Sequence, residues 1–379
     1  MRRLILLGAS GNIGQQSLDV IGKDPTSFRL VGISIGERVN LLKKILSDFP
    51  SIEAVCLKHE EHAASFQKEY PSIRFYHGDE GLLSLIEETE AEMVENALVG
   101  FAGFLPSLKA LEKNRILCLA NKESLVVGGE IVNKLLKEGK GKLYPIDSEH
   151  VAIDKCLKHC KNPKRVYLTA SGGPFRDLRH DQLDNVTPEQ ALAHPTWNMG
   201  AKISIDSATM MNKGFEWIEA YHLFHLPMEK VEILIHLESE IHSAVEDEDG
   251  AIYADVGKPD MRGPISYALY EGKAYEEVRV GKSLNDFGPY HFREYDPERY
   301  PLTEAAKKAL KEGGIMPAIL NAANEVAVGR FLKGEIPFLG IERICLDALR
   351  AFRNIMSPNV DALLEADASA REFALREEF

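Results

Sequence analysis

A short apolar run, Leu4–Leu7, flows directly into Gly8-Ala-Ser-Gly11-Asn-Ile-Gly14, and helical spacing follows over Ile13–Ile21. Few patterns constrain a fold as strongly. A strand that ends in glycines and opens a helix lets backbone N–H groups approach a pyrophosphate at the positive helix N-terminus. The spacing is G-x-x-G-x-x-G, not the commoner G-x-G-x-x-G, and a tight strand–helix turn without a ligand would use the same glycines. Through residue 145 the alternation repeats, with strands expected at Arg29–Ile35, Ala54–Leu57, Met93–Asn96, Ile116–Ala120 and Lys142–Pro145. Amphipathic stretches at Asn40–Ser47 and Gly129–Lys137 lie between them. This pattern predicts a parallel sheet with crossover helices, a Rossmann-like doubly wound α/β domain over residues 1–146.

Beyond it the pattern changes. Arg165–Ala170, Val231–Ile235 and Ala251–Asp255 read as strands, broken by helices and by a long irregular segment. A central α+β domain is expected over 147–282, with 172–200 as a lid. Residues 283–302, punctuated by Pro289, Pro297 and Pro301 among many aromatics, read as an extended linker. Residues 303–379 read as a small helical bundle, with helices at Glu304–Lys311, Met316–Lys333, Ile341–Arg353 and Val360–Glu377.

A formal net charge of −13 over 379 residues argues against a nucleic-acid partner, which needs a basic patch or stripe. An anionic substrate must then be held by local donors. Five scattered cysteines make no disulfide framework, and no apolar run reaches bilayer length. The first residues share only two arginines with a signal peptide. A reducing, cytoplasmic protein without membrane contact or processed leader is expected.

The chemistry concentrates between Ser171 and Glu216. Ser171-Gly-Gly-Pro-Phe175, His194-Pro-Thr-Trp-Asn-Met-Gly200 and Asp206-Ser-Ala-Thr-Met-Met-Asn-Lys-Gly-Phe-Glu216 crowd hydroxyls, an amide, a lysine and a carboxylate between glycines and prolines. Ser171, Ser207, Asn212 and Lys213 suit a phosphate, lysine supplying a point charge and the others neutral donors. As single residues, the serines also read as helix caps or turn formers. His194, Trp197 and Met199 suit a lid that excludes water.

Asp147-Ser148-Glu149 follows the last expected strand of the first domain. With an extended backbone, Asp147 and Glu149 point to one side. On a helix beginning near Ala208, Asn212, Lys213 and Glu216 share a face. Three hard oxygen ligands, Asp147, Glu149 and Glu216, suit one Mg²⁺ or Mn²⁺. Lys122, in Ala-Asn-Lys-Glu-Ser (120–124), reads as a positioning or proton-handling group near a nicotinamide, or as a surface lysine.

The second expected strand ends in Ser34-Ile-Gly36-Glu37-Arg38, which carries both signals that separate the nicotinamide cofactors. An acid there suits the ribose hydroxyls of NAD, and a cation suits the 2′-phosphate of NADP. Arg38 with Ser34 favours NADPH, while Glu37 is an unfavourable neighbour for a phosphate. Cys156-Leu-Lys-His159-Cys160 reads as a helical stretch without a metal, and His59, His62, His222 and His225 as surface or core residues.

Taken together, these motifs resemble the 1-deoxy-D-xylulose 5-phosphate reductoisomerase family over nearly the whole chain. The match includes the glycine loop, Ala-Asn-Lys-Glu-Ser-Leu (120–125), Asp-Ser-Glu-His (147–150) and the three segments between 171 and 216. Pro-Asp-Met-Arg (259–262) and Asn-Ala-Ala-Asn-Glu-Val-Ala (321–327) complete it. The resemblance implies an NADPH- and metal-dependent oxidoreductase and isomerase of the non-mevalonate isoprenoid pathway. A ketose phosphate would rearrange, by retro-aldol cleavage and re-addition, to a branched aldehyde, which NADPH reduces to 2-C-methyl-D-erythritol 4-phosphate.

By motif, Asp147, Glu149 and Glu216 would hold the metal, and Lys122 and Ser148 would contact the substrate's oxygens. Ser171, Ser207, Asn212 and Lys213 would take the phosphate, with His194 and Trp197 from the lid. Lys122, Glu149 and His194 would be the catalytic groups. Ser10, Gly11, Asn12, Ile13, Gly36, Glu37, Arg38, Asn121, Glu123 and Gly200 fall where the family binds NADPH. The family is homodimeric.

Gly36-Glu37-Arg38 departs from the family's Gly-Lys-Asn and leaves the 2′-phosphate contact open. His236-Leu-Glu-Ser239 and His242-Ser-Ala-Val245 also depart, where packing near a dimer contact is the expected consequence. Two other readings remain at this stage: a simple NADP-dependent sugar-phosphate dehydrogenase, and a non-catalytic NADPH-sensing protein.

Overall fold

The computed structural model describes residues 1–273 and 283–378. The chain forms two compact units. The first comprises Met1–Ser124, Glu130–Asp147 and a return segment from Asp260; the second comprises Leu125–Gly129, Ser148–Pro259 and the C-terminal part. The expected boundary at 282 lies outside the described residues.

The first unit runs β1 (Arg2–Leu7), α1 (Asn12–Lys23), β2 (Phe28–Ile35), α2 (Leu42–Asp48), β3 (Ala54–Leu57), α3 (Glu60–Glu69), β4 (Arg74–His77), α4 (Gly78–Glu88), β5 (Met93–Asn96), α5 (Phe104–Glu112), β6 (Ile116–Leu119), α6 (Glu123–Lys137) and β7 (Lys142–Pro145). All strands are parallel, in the order β4-β3-β2-β1-β5-β6-β7. Chain order reverses between β1 and β5, and open α/β sheets bind ligands at such a switch point. The glycine loop leaves β1 there.

Strands β3 and β6, and β1 from Leu4 onward, read as unbroken apolar runs because helices cover both faces of the sheet. Leu4, Ile5, Leu6 and Leu7 are wholly buried. Strand β4 and helices α3, α4 and α5 were not anticipated. Glu95, on β5, is also wholly buried and accepts a hydrogen bond from Ser17 Oγ. Burial pushes its carboxyl up to about 8.

The second unit runs α7 (Ser148–Leu157), β8 (Pro163–Ala170), α8 (Pro188–Leu192), α9 (Ala201–Ala208), α10 (Met211–Phe224), β9 (Val231–His236), β10 (Ile241–Asp247) and β11 (Ile252–Val256). The chain then enters the first unit through α11 (Arg262–Leu269), which packs on α1. It continues with β12 (Phe292–Glu294), α12 (Pro301–Glu312), α13 (Met316–Leu332), α14 (Phe338–Ala351) and α15 (Val360–Arg376). The second sheet has the order β11-β10-β8-β9-β12, with β8 and β9 parallel and the other pairs antiparallel.

The sequence reading needs correction in several places. Residues from Asp260 fold with the first unit, not with the central domain. Part of the expected linker is β12, which pairs with β9. The four C-terminal helices do not stand apart: α12 packs on α10, and α13 on α9. The segment 172–200 contains α8, capped by Thr187 Oγ1 accepting from the Gln190 N–H. Helix α7 ends at Leu157, so His159 and Cys160 lie beyond it. All five cysteines are buried and free. Among the described residues no helix is long and apolar enough to cross a membrane.

Candidate active site

In the first unit the glycine loop is set by sterics. A Cβ on Gly14 would lie 2.3 Å from the Gly8 carbonyl oxygen, and one on Gly8, at φ 83°, 2.5 Å from that of Ala97. Gly11 caps α1, and its N–H donates to Gly8 O at 2.8 Å. Ser10 is buried, while Asn12 and Ile13 form the first turn of α1. The N–H groups of a helix's first turn make its positive end, to which an anion is drawn.

Ser34 is engaged with the glycine loop. Its Oγ accepts the Gly8 N–H at 2.8 Å and its carbonyl the Ala9 N–H at 2.8 Å, so it braces the loop from β2. Gly36, Glu37 and Arg38 are exposed beyond the same strand. Glu37 accepts from Lys58 Nζ at 2.5 Å and lies 3.3 Å from His59 Nε2. The two partners hold its carboxyl below the usual range, Lys58 first.

Asn121 is buried and engaged on both ends of its amide. Nδ2 reaches the carbonyls of Leu98 and Gly100 and a Glu123 carboxylate oxygen, while Oδ1 accepts from the backbone N–H and hydroxyl of Ser124. It shapes the β6–α6 turn. That turn presents Lys122, whose Nζ lies 2.5 Å from Asp147 Oδ2, both side chains nearly buried.

In the second unit Ser148 begins a helix, so strand alternation does not place the acids. Glu149 stands instead in the first turn of α7, where the helix dipole favours a carboxylate. Ser148 Oγ donates to Glu149 Oε2 at 2.6 Å. Helix α10 begins at Met211, not near Ala208, after Met210 takes a left-handed φ of 60°. Thr303 Oγ1 donates to the Met210 carbonyl at 2.8 Å and fixes that turn.

Asn212 and Lys213 in α10's first turn both donate to Glu216, one turn on. Lys213 Nζ also lies 3.3 Å from Glu149 Oε1. Oxygens of Glu149 and Glu216 approach within 4.8 Å. Lys213 and Glu216 are buried. His150, which the sequence reading passed over within its motif, meets the Glu216 carbonyl through Nε2 at 2.9 Å and ties α7 to α10.

A second group gathers around His194. Its Nε2 lies 2.9 Å from Ser171 Oγ and 3.1 Å from Ser207 Oγ. Its Nδ1 accepts the backbone N–H of Trp197 at 2.9 Å and of Thr196 at 3.3 Å. An Nδ1 that accepts leaves the proton on Nε2, so the ring is a neutral donor toward the two hydroxyls. Desolvation, then the nearby Arg176, lowers its pKa to about 4.

Two glycines at positive φ, Gly172 and Gly173, bring Ser171 here. A Cβ on Gly173 would lie 2.6 Å from the Ser207 carbonyl. Arg176 Nη1 holds the Ser171 carbonyl at 3.0 Å. Trp197 is half-buried with its ring 5.9 Å from His242, and Gly200 caps α9. Of the four expected phosphate residues, Ser171 and Ser207 are thus gathered on His194, whereas Asn212 and Lys213 rest on a carboxylate.

Comparison with known proteins bears on what these groups serve. Three family profiles match: 1-deoxy-D-xylulose 5-phosphate reductoisomerase over residues 4–129, its C-terminal domain over 143–224, and the DXP reductoisomerase C-terminal domain over 256–373. The chain is 43% identical over 380 residues to 1-deoxy-D-xylulose 5-phosphate reductoisomerase 2 of Bacillus thuringiensis subsp. konkukian, covering 100% of both. It is 45% identical to the reductoisomerase of Exiguobacterium sibiricum, covering 98% of each.

Among solved structures, the Zymomonas mobilis reductoisomerase in complex with NADPH is 36% identical with a TM-score of 0.89, covering 98% of each chain. A DOX-P reductoisomerase in complex with NADPH, fosmidomycin and magnesium is 33% identical with a TM-score of 0.93, covering 99% of this chain and 98% of that one. The glycine loop, the carboxylates and the hydroxyl–histidine group therefore sit in a chain that belongs to the 1-deoxy-D-xylulose 5-phosphate reductoisomerase family.

Proposed function

We infer that this chain converts 1-deoxy-D-xylulose 5-phosphate to 2-C-methyl-D-erythritol 4-phosphate, using NADPH and one divalent cation, Mg²⁺ or Mn²⁺. The observation that carries the reading is the Glu149–Lys213–Glu216 cluster, with Lys213 and Glu216 buried, in a chain matched by the family along its length. Two converging carboxylates and an ammonium form a site already organised around positive charge. The donor set is hard oxygen, which fits Mg²⁺ or Mn²⁺. Asp147, two residues before Glu149, completes the ligand set by motif.

The cation, when bound, supplies Lewis-acid polarisation of the substrate's oxygens, and NADPH supplies the hydride. The chain's own groups do the rest. Lys213 leaves the carboxylates and, with Asn212, turns to the substrate phosphate. Ser171, Ser207 and the His194 Nε2–H donate to that same phosphate, and Ser148 orients Glu149. Lys122, steadied by Asp147, donates to the substrate's oxygenated backbone. Trp197, anchored through His194, covers the reacting carbons against water.

The glycine loop, with Ser10, Gly11, Asn12 and Ile13, takes the pyrophosphate of NADPH. Gly36, Glu37 and Arg38 flank the adenosine, Gly200 approaches the cofactor backbone, and Asn121 and Glu123 shape the nicotinamide end. We place the enzyme in the cytoplasm as a homodimer, following the family.

NADPH oxidation with 1-deoxy-D-xylulose 5-phosphate, with and without Mg²⁺ or Mn²⁺, tests the reading. Metal-dependent oxidation to a branched polyol phosphate is the expected result. Oxidation that persists in chelator would point instead to a simple dehydrogenase.

A further inference from the structure

Resting on the NADPH reading above, we propose that Lys58 and His59, just beyond β3 and beside the expected cofactor residues that follow β2, read the 2′-phosphate together with Arg38. Glu37 holds their place until the cofactor arrives. This chain carries Glu37 where a phosphate reader is expected, and Ser34 is committed to the glycine loop. Beyond Arg38, further cations must come from elsewhere, and the bend after β3 provides them. Strands β2 and β3 run parallel with Ile35 beside Leu57, so 36–38 and 58–59 leave the sheet at one edge.

Glu37 is therefore not a bare acid facing a phosphate. One carboxylate oxygen takes Lys58 Nζ at 2.5 Å and the other meets His59 Nε2 at 3.3 Å. These contacts are the ones a phosphate oxygen would make. The pair is exposed, with side-chain accessibilities of 58% for Lys58 and 67% for Glu37. Such ion pairs are weakly held. A 2′-phosphate brings up to two charges and three acceptor oxygens and displaces the carboxylate into water.

With Arg38 and Lys58 against Glu37, the edge carries one net positive charge before His59 is counted. The 2′-hydroxyl of NADH offers nothing to that charge. Glu60 and Glu61 follow in the first turn of α3, where the helix's positive end engages them.

Calorimetric titration of NADPH and of NADH into the wild type and into Lys58→Gln, Lys58→Arg, His59→Gln and Glu37→Gln tests this. Lys58→Gln should weaken NADPH about tenfold and leave NADH within about twofold, as loss of one charged hydrogen bond predicts. Lys58→Arg should preserve the preference, His59→Gln should lower it less, and Glu37→Gln should tighten NADPH. NADPH affinity should also fall less steeply with salt in Lys58→Gln. Equal weakening of both nucleotides by Lys58→Gln, or of neither, would overturn the proposal while the cofactor reading stands. A wild type that binds no NADPH would overturn both.

Discussion

In the first unit the turn to which we assign the pyrophosphate is main chain: Gly8 and Gly14 pack so closely that neither has room for a Cβ, and Ser34 locks the loop from the next strand. In the second unit the corresponding work falls to side chains drawn from Ser148, Glu149, Ser171, His194, Ser207, Asn212, Lys213 and Glu216. There the charges hold one another, with Lys213 standing between two carboxylates. A backbone turn is formed once the fold is formed, so it is pre-organised for the pyrophosphate we assign to it. A cluster of paired charges can exchange partners, which suits the cation and phosphate we propose for it. Substitutions should separate the two designs, by failing in folding and cofactor binding on one side and in chemistry on the other.

Glu216→Gln should cause the largest loss. It keeps the shape of a buried side chain but removes the charge that Lys213 meets and that we assign to the cation. Turnover should fall by about three orders of magnitude, the scale of several kcal/mol that a Lewis acid supplies. NADPH affinity, measured by titration, should stay within about twofold, since one buried charge-pair change costs little at a separate backbone turn. Parallel loss of NADPH binding would mean the two sites are not independent.

Gly14→Ala should do the opposite. Its Cβ would meet backbone atoms at 2.3 and 2.7 Å, which no side-chain rotation relieves. A loss of about 2 kcal/mol in stability is expected. NADPH binding should weaken with it, while Mg²⁺ affinity of the remaining folded protein is unchanged. Thermal unfolding with and without NADPH checks both points. An unchanged melting temperature would show that the loop yields more readily than its contacts suggest.

How far the sequence announced this contrast depends on the range of the interactions. Strand β3 was legible to the residue, because a strand buried between helices is apolar without interruption; β5 and β7 were also placed to the residue, although Glu95, Asn96 and Lys142 interrupt their apolar runs. Strand β4, Arg74-Phe-Tyr-His77, is a half-exposed edge and shows no such run. Helix α3 escaped for a related reason: Ala63 is its one buried residue, so it has no apolar stripe to read. In β10 the pattern is masked by His242 and Ser243, polar residues that are nonetheless buried.

The sequence offered the site residues as a set of chemical types, but not their partnerships. Nothing local to Ser171 or Ser207 says that His194 joins them, nor does Glu37 announce Lys58. Asp147 and Glu149 were placed by strand alternation, which fails because the helix begins between them, at Ser148.

His194→Ala sharpens the side-chain half of the comparison. It leaves two hydroxyls and the N–H groups of Thr196 and Trp197 without the ring that gathers them. The KM for the phosphorylated substrate should rise about tenfold, the range for losing one or two neutral hydrogen bonds. The kcat should change less. The ring's pKa of about 4, against an ordinary 6.5, also fixes a pH effect. Between those values the unfolded chain binds a proton that the folded one refuses, so stability falls as pH drops from 6.5 toward 4. In His194→Gln that part of the acid sensitivity should vanish, as melting curves across this window would record. Acid sensitivity unchanged in the variant would place its origin in another buried group, such as His222, whose pKa desolvation also lowers to about 4.

Ser34→Ala carries the smallest expected effect and the sharpest distinction. As a phosphate reader, Ser34 would contribute to NADPH and not to NADH. As a brace, it contributes to both, because the Gly8 N–H it accepts belongs to the turn under the shared pyrophosphate. Loss of one such hydrogen bond costs about 1 kcal/mol. The alanine variant should therefore melt slightly lower and bind both nucleotides more weakly by a similar factor, at most about fivefold on that scale. Lys58→Gln is predicted to change their ratio instead. If Ser34→Ala lowered NADPH affinity alone, the hydroxyl would have to turn outward when the cofactor binds, and the first unit's site would be less pre-formed than its backbone suggests.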